Sequence, residues 1–473
     1  MTGPARPTRR FWLALLLVLL IGGTIRITYV WAATRHDPLL GDQIYYSALA
    51  DSLARGDGFR DPFISERVVP SADHPPLTSM VVAPASWLFE PASSRARTGH
   101  RLTMAMIGTL TVAVMALTAR RVFPRRADTT ALIAATLAAV HPGLWINDGL
   151  IMSETVGALT VALVIWASFR ALDEPTGWRM FRLGLAVGLA VLARAEAALL
   201  VPLLVIPIGF THRGDRDRRP PAAPLRWLAA TGAGGLLMLG PWVIPNLVRF
   251  NQPTIMSTND GLTIIGTNCD PAYRGVAKGL WVLSCIEAVD SNSDGINDWE
   301  ALQRGLPIAG DDQDASDVSL LYRHEGLGYL TDHLDELPGV MAARFTRVWS
   351  LTGVAQTANF YNKGEGRRPW INWGAQIGFW VLAPLAAIGL VILRRNGRPI
   401  WPLAVHAVLT SITAAMFYGL WRFRIGAEVA VILAASVALA TLLGRWRDSR
   451  PATDANPDIE PAESADNLTA SPS

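Results

Sequence analysis

Eight apolar runs, each of at least 18 residues, lie near 11 to 33, 101 to 119, 129 to 146, 151 to 169, 227 to 248, 372 to 393, 400 to 420 and 425 to 444. A helix rising about 1.5 Å per residue needs about 20 residues to cross a hydrocarbon core of about 30 Å, so each run is long enough to span a bilayer. Two shorter runs, 180 to 193 and 196 to 210, read as a helical hairpin, giving an expected ten spans. With 51% hydrophobic and 17% charged residues and a mean hydropathy of +0.27, a water-soluble fold of this length has too little interior for the apolar side chains. The expected fold class is an all-α polytopic membrane protein with about ten transmembrane helices and two external loop regions.

Charge sets the register of these spans, because short cytoplasmic loops hold Lys and Arg. With the N-terminus inside, the inner segments carry Arg6, Arg9 and Arg10, then Arg120, Arg121, Arg125 and Arg126, then Arg170, Arg179 and Arg182. The pattern continues through Arg213, Arg216, Arg218, Arg219 and Arg226 to Arg394, Arg395 and Arg398, and ends with Arg445, Arg447 and Arg450. The net charge of +3 therefore serves topology, and nucleic acid is not an expected partner. The run from Pro75 to Phe89 is short and rich in proline, and counting it as a span would place the arginine clusters outside; it reads as juxtamembrane or re-entrant. The resulting layout is a cytoplasmic tail at 1–10, a first span at 11–33, an external loop at 34–99 and spans two to seven within 100–248. An external soluble region at 249–370, spans eight to ten within 371–444 and a disordered cytoplasmic tail at 445–473 complete it. Within the first loop, Ile44, Tyr45, Ala48, Leu49, Ser52 and Leu53 form one apolar helical stripe, predicting a helix on the membrane surface.

Polar residues that hydropathy does not explain gather at the outer ends of the spans: Asp42, Asp51, Asp73, His74, Asn147, Asp148, Glu154, Arg194, Glu196, Arg422 and Arg424. Asp42 opens the amphipathic stripe and has two readings, a helix N-cap or a general base at the water-lipid boundary. Asp73-His74-Pro75-Pro76 reads as a turn or as part of the same site. Glu154 sits about one turn inside its span, where a carboxylate is costly and either complements the helix dipole or serves function. Arg194 and Glu196 occupy a hairpin tip and can pair with each other or with Glu154. Arg194, Arg422 and Arg424 break the charge rule; Arg422 and Arg424, flanked by aromatic rings, read either as snorkelling interface anchors or as guanidiniums beside a lateral groove that hold a lipid phosphate as a leaving group.

Two further features lie in the second external region. Asp290-Ser-Asn292-Ser-Asp294-Gly-Ile-Asn-Asp298 follows part of a calcium-loop pattern but lacks its terminal bidentate Glu, so Asp290, Asn292, Asp294 and Asp298 are a candidate structural Ca²⁺ site or an ordinary turn. Cys269 and Cys285 are the only cysteines, and on an oxidising face they could close a loop stabilised by about 3 kcal/mol.

Taken in order, these residues resemble the C-type (GT-C fold) membrane glycosyltransferases, namely the bacterial relatives of the protein O-mannosyltransferases and the lipid A aminoarabinose transferases. The likeness rests on Gly41-Asp42 with Tyr45 and Ala48, His74-Pro75-Pro76-Leu77, Ser153-Glu154 and Arg422-Phe423-Arg424. It also includes Asn246-Leu-Val-Arg-Phe250 followed by Ser257-Thr-Asn-Asp-Gly261 and Gly266-Thr-Asn268. The resemblance implies inverting transfer of a sugar from a polyprenyl-phosphate donor to an acceptor hydroxyl of a protein, glycan or lipid at the outer face of the plasma membrane, without a catalytic metal. It gives Asp42 the role of base, with Glu154 and His74 shaping the site. Tyr45, Asp73, Arg194, Glu196, Arg422 and Arg424 become candidate substrate contacts. The stretch from about 270 to 345 departs from the family pattern. The rival classes are a flippase of lipid-linked saccharides, which calls for charges near mid-membrane, and a saccharide polymerase or ligase.

Overall fold

A computed structural model describes residues 4–63, 69–210, 223–290, 295–303, 308 and 312–448. Among them the only β pairing is an isolated bridge between Arg60 and Pro70; the architecture is helical. The helices used below are α1 Arg9–Tyr29, α2 Asp42–Arg55, α3 Leu77–Phe89, α4 Ser94–Val122, α5 Ala127–Val140, α6 Pro142–Trp145 and α7 Ser153–Asp173. They continue with α8 Gly177–Ala193, α9 Ile206–Phe210, α10 Ala223–Arg249, α11 Asp260–Ile265 and α12 Ala315–Asp332. The last five are α13 Leu337–Val348, α14 Val354–Glu365, α15 Pro369–Arg395, α16 Trp401–Met416 and α17 Ile425–Asp448.

Each of the ten expected spans coincides with helical structure, but they differ in length. Six helices are long and apolar enough to cross a membrane by themselves: Arg9–Thr34, Ser94–Val122, Ser153–Asp173, Pro224–Arg249, Pro369–Arg395 and Trp421–Trp446. A seventh is the pair 124–140 and 142–149, bent by 54° at His141-Pro142, where the proline ring cannot extend the preceding helix. Residues 195–210 and 401–416 are shorter apolar helices, as is α3, and α8 has only 17 residues. The protein is a multi-pass membrane protein. The last helix runs to Asp448, beyond the expected start of the tail at 445, and residues 449–473 lie outside the described ones.

The bundle core joins α4, α5, α7, α15 and α17, with Ala131, Ala134, Ala135 and Ala138 of α5 all fully buried at helical spacing. Small side chains let backbones approach where lipid offers no hydrophobic drive. Such approaches occur between α15 and α17, where a Cβ on Gly389 would lie 1.8 Å from the Ala434 carbonyl oxygen, and between α8 and α10, where one on Gly184 would lie 2.0 Å from the Thr231 carbonyl oxygen and one on Gly234 2.2 Å from that of Phe181. Arg26, in the first span, is fully buried. Its Nε donates to Asp148 at 2.6 Å, and its other nitrogens donate to the carbonyls of Gly22, Ala138 and Ala139.

The two ends of the bundle differ. At one, Arg398 and Arg121 converge on Asp173, Arg120 pairs with Asp128, and Arg125 meets Asn396. At the other, the starts of α2, α7 and α17 meet the end of α14. The expected membrane-surface helix is α2, but its buried arc is rotated from the predicted stripe. Ile44 is 44% exposed, whereas Tyr46 and Ala50 are buried with Tyr45 and Leu49, because α3 covers that side. The region after α10 has small cores of its own, and Cys269 and Cys285 are bonded, with Cα atoms 5.9 Å apart.

Candidate active site

Asp42 is the first residue of α2. Gly41 precedes it at φ 56°, a left-handed conformation that glycine adopts without a Cβ penalty, and no side chain caps the helix. The N-cap reading of Asp42 therefore gives way: its Oδ2 accepts from Arg422 Nη2 at 2.7 Å, and Oδ1 lies 3.7 Å from His74 Nε2. Burial raises the Asp42 carboxyl, but the Arg422 guanidinium with His74 beside it more than offsets this and holds it below the usual carboxylate range.

His74 is fixed between rings, stacked on Tyr46 at 5.0 Å and edge-on to Tyr45 at 5.2 Å, while its Nδ1 is 3.4 Å from Asn259 Nδ2. Tyr45 does not face the cluster. Its hydroxyl pairs with Ser71 at 2.9 Å and accepts the Asp73 N–H at 3.1 Å, so it shapes the turn that delivers His74. The Asp73 carboxylate, 44% exposed, lies 3.9 Å from His74 Nε2 at the rim.

Arg422 is the hub. From a short 3-10 turn ahead of α17, its Nε donates to Glu154 Oε1 at 2.8 Å and its Nη1 lies 3.5 Å from Glu365 Oε1. Arg194 reaches the same Glu154 oxygen at 3.3 Å and donates to Glu196 at 2.6 Å, combining both pairings expected of it. Arg367 pairs with Glu365 at 2.7 Å, donates to Asn147 Oδ1 at 2.7 Å and lies over the Tyr361 ring at 4.5 Å. Glu365, Arg367 and Tyr361 were not among the sequence candidates. Burial, together with Glu154 alongside, holds Glu365 above the usual carboxylate range against the pull of Arg367 and Arg422. Four carboxylates, Asp42, Glu154, Glu196 and Glu365, thus share three guanidiniums, Arg194, Arg367 and Arg422. Glu154 Oε2 and Arg367 Nη2 are buried without a hydrogen-bond partner, beside a cavity of about 30 Å³ also lined by Asn147 and Tyr361.

Arg424 lines the same cavity from deeper in the bundle. It is 1% exposed, donates to Glu428 at 2.9 Å and to Ser350 Oγ at 2.9 Å, and lies 3.8 Å over the Phe379 ring. Its donors are engaged by Glu428, Ser350, Gln376 and the Val348 carbonyl, on the inner side of the cavity that Glu154, Arg367 and Arg422 also line. Asp51 lies apart, in a buried chain: Ser86 donates to it at 2.6 Å, and His100 links Ser86 at 2.6 Å to Ser47 at 3.2 Å. Of the candidate calcium ligands, Asn292 and Asp294 lie outside the described residues. Asp290 Oδ2 accepts from the Gly295 N–H at 2.9 Å, and Asp298 is buried. Among the described residues no group of three His, Cys, Asp or Glu is placed to hold a metal ion.

Residues 73–244 match the family described as dolichyl-phosphate-mannose-protein mannosyltransferase. This segment contains His74, Glu154, Arg194 and Glu196, while Asp42, Glu365 and Arg422 lie outside it. No curated protein sequence matches the chain. Among solved structures, the oligosaccharyltransferase AglB from Archaeoglobus fulgidus, in complex with an inhibitory peptide and a dolichol-phosphate, aligns at a TM-score of 0.56 and 16% identity over 94% of this chain and 52% of that one. ArnT from Cupriavidus metallidurans bound to undecaprenyl phosphate aligns at 0.39 and 16% identity over 92% and 79%. The protein O-mannosyltransferase Pmt1-Pmt2 complex of S. cerevisiae aligns at 0.42 and 18% over 55% and 38%. The chain spans about half the length of the oligosaccharyltransferase chains it matches. The chain shares the GT-C fold of the archaeal oligosaccharyltransferase AglB, and within it residues 73–244 are similar to the family described as dolichyl-phosphate-mannose-protein mannosyltransferase.

Proposed function

We propose that this protein transfers a sugar from a polyprenyl-phosphate donor to an acceptor hydroxyl at the outer face of the plasma membrane, with both termini cytoplasmic. The observation that carries this reading is the Asp42 carboxylate on the Arg422 guanidinium, 2.7 Å apart, at the rim of a cluster whose Glu154 and Glu365 are buried. Inverting transfer needs a base on one side of the sugar carbon and charge stabilisation of the departing phosphate on the other. The acceptor O–H attacks C1, its proton passes to Asp42, and the C1–O bond breaks with its electron pair going to the phosphate, which Arg422 and Arg194 hold. His74 positions Asp42, and Glu154 fixes both guanidiniums from below. The carrier enters sideways from the bilayer.

A phosphate meets Arg422 only by competing with the carboxylates already on it. Donor arrival therefore loosens Asp42 from Arg422 and restores basicity to the carboxylate when the reaction needs it. Because guanidiniums already occupy these carboxylates, the reading needs no divalent cation, and activity is expected to survive EDTA. The flippase reading lacks support of this kind, since the candidate cluster sits at one end of the bundle. The test is a panel of labelled polyprenyl-phosphate monosaccharides offered to purified wild type and Asp42→Asn. Turnover of one donor, reduced about a hundred- to ten-thousand-fold in the variant, is expected. Full activity in Asp42→Asn would remove this residue from the mechanism, and transport of a lipid-linked saccharide without turnover would favour the flippase.

A further inference from the structure

A second cationic recess lies away from the cluster, on the connector that joins α1 to α2. Its volume is about 350 Å³, and it is lined by Arg35, His36, Asp37, Leu39, Ser94 and Arg97, so it brings the outer end of the first span against the start of α4. The Asp37 carboxylate is already taken, both of its oxygens lying 2.8 Å from Arg368 Nη2. Neither Arg35 nor Arg97 has a carboxylate partner among the described residues. Arg97 donates to the Ala92 carbonyl at 2.9 Å, and Arg35 lies 4.3 Å over the Trp31 ring with its Nε buried and unbonded. The recess is therefore net positive.

Its surroundings are apolar. Trp31, under the Arg35 guanidinium, is 55% exposed, and Phe89, at the end of α3 and against Gly99 of α4, is 46% exposed; exposed aromatic rings of this kind mark a membrane-water boundary. Unpaired arginines at this level on the expected outer side run against the charge rule, as Arg194 and Arg422 do. Two guanidinium forks facing one recess suit a tetrahedral phosphate, and basic pockets between spans at headgroup depth bind lipid phosphates. We propose that this recess is a second lipid site, distinct from the cluster around Arg422, that holds the headgroup phosphate of an anionic lipid between Arg35 and Arg97. A bound headgroup braces residues 35–41, the segment that leads directly into Gly41 and Asp42.

The experiment uses the full chain in phosphatidylcholine nanodiscs, with phosphatidylglycerol or polyprenyl phosphate added in turn, and reads lipid retention by native mass spectrometry and the thermal midpoint. The variant is Arg35→Gln/Arg97→Gln. Its midpoint in pure phosphatidylcholine should match wild type. Its affinity for the added lipid should fall by about tenfold or more, the loss expected for charge-assisted hydrogen bonds to one phosphate. Loss of phosphatidylglycerol alone assigns the site to bulk phospholipid, and partial loss of polyprenyl phosphate as well assigns it to any lipid phosphate. Unchanged retention of both overturns the proposal, as does inorganic phosphate that stabilises wild type as far as the lipid does. If the double variant folds poorly, Arg97→Gln alone carries the same test, because its guanidinium makes one hydrogen bond among the described residues, to the Ala92 carbonyl.

Discussion

The Arg422 guanidinium bridges Asp42 and Glu154 at 2.7 and 2.8 Å, although the three residues are separated by 380 and 268 positions in the chain. One side chain thereby ties the start of α2 to the starts of α7 and α17 and, through Glu365, to the end of α14. The same guanidinium serves architecture and, in the proposed reaction, the leaving group.

Removing it should show both roles. Arg422→Ala leaves Glu154 buried with Arg194 as its one remaining cation, and breaking a buried pair costs about 3–5 kcal/mol. A large fall in the thermal midpoint together with loss of turnover is expected. Arg422→Lys keeps the charge but cannot bridge three carboxylates, so it should recover much of the midpoint and little of the activity.

The depressed Asp42 carboxyl gives a signed pH dependence. Its contribution to stability is present above its ordinary value of 3.8 and is lost as pH falls through the lower folded value. Acid unfolding should therefore begin at lower pH in wild type relative to a variant whose Asp42 is freed from Arg422, and Asp42→Asn should flatten this part of the curve. In kinetics, kcat/KM reports the free enzyme and should show no acid limb from Asp42 near neutrality. The acid limb of kcat should lie higher, because a bound phosphate draws Arg422 away. Coincident limbs would argue against that competition.

Arg424 makes the opposite prediction to Arg422. Arg424→Met strands Glu428 with only His141, 3.4 Å away, and should destabilise the protein by about 3–5 kcal/mol. Arg424→Met/Glu428→Met replaces both charges by apolar groups and should recover most of the midpoint. Polyprenyl-phosphate affinity of the double variant should match wild type, which calorimetry can check.

The Cys269–Cys285 bond closes a separation of 16 residues, and Cys269→Ser/Cys285→Ser should lower the stability of the region after α10 by about 3 kcal/mol. Limited proteolysis should cut there first.

The helices were legible because the length of an apolar run and the thickness of a bilayer are measured on the same scale. Much of the site was legible because Asp42, Glu154, Arg194 and Arg422 offend hydropathy or the charge rule. Glu365 and Arg367 escaped because they lie in a polar region where a charged residue offends nothing. The available clue was Arg367 and Arg368 directly before α15, on the side where arginines are not expected. Arg424 shares that clue with Arg422, and only packing reveals that, two residues on, it turns inward to Glu428. Ile44 misled because a periodic stripe gives a buried face but not the arc that α3 covers.

The buried contact between Arg26 and Asp148 bears on how the chain is made. An arginine inside a span is costly unless it is paired or satisfied by backbone carbonyls. Its carboxylate partner is synthesised 122 residues later, with the Ala138 and Ala139 carbonyls just ahead of it. The first span and the bent third span therefore complete each other: neither buried charge is matched until both are in place.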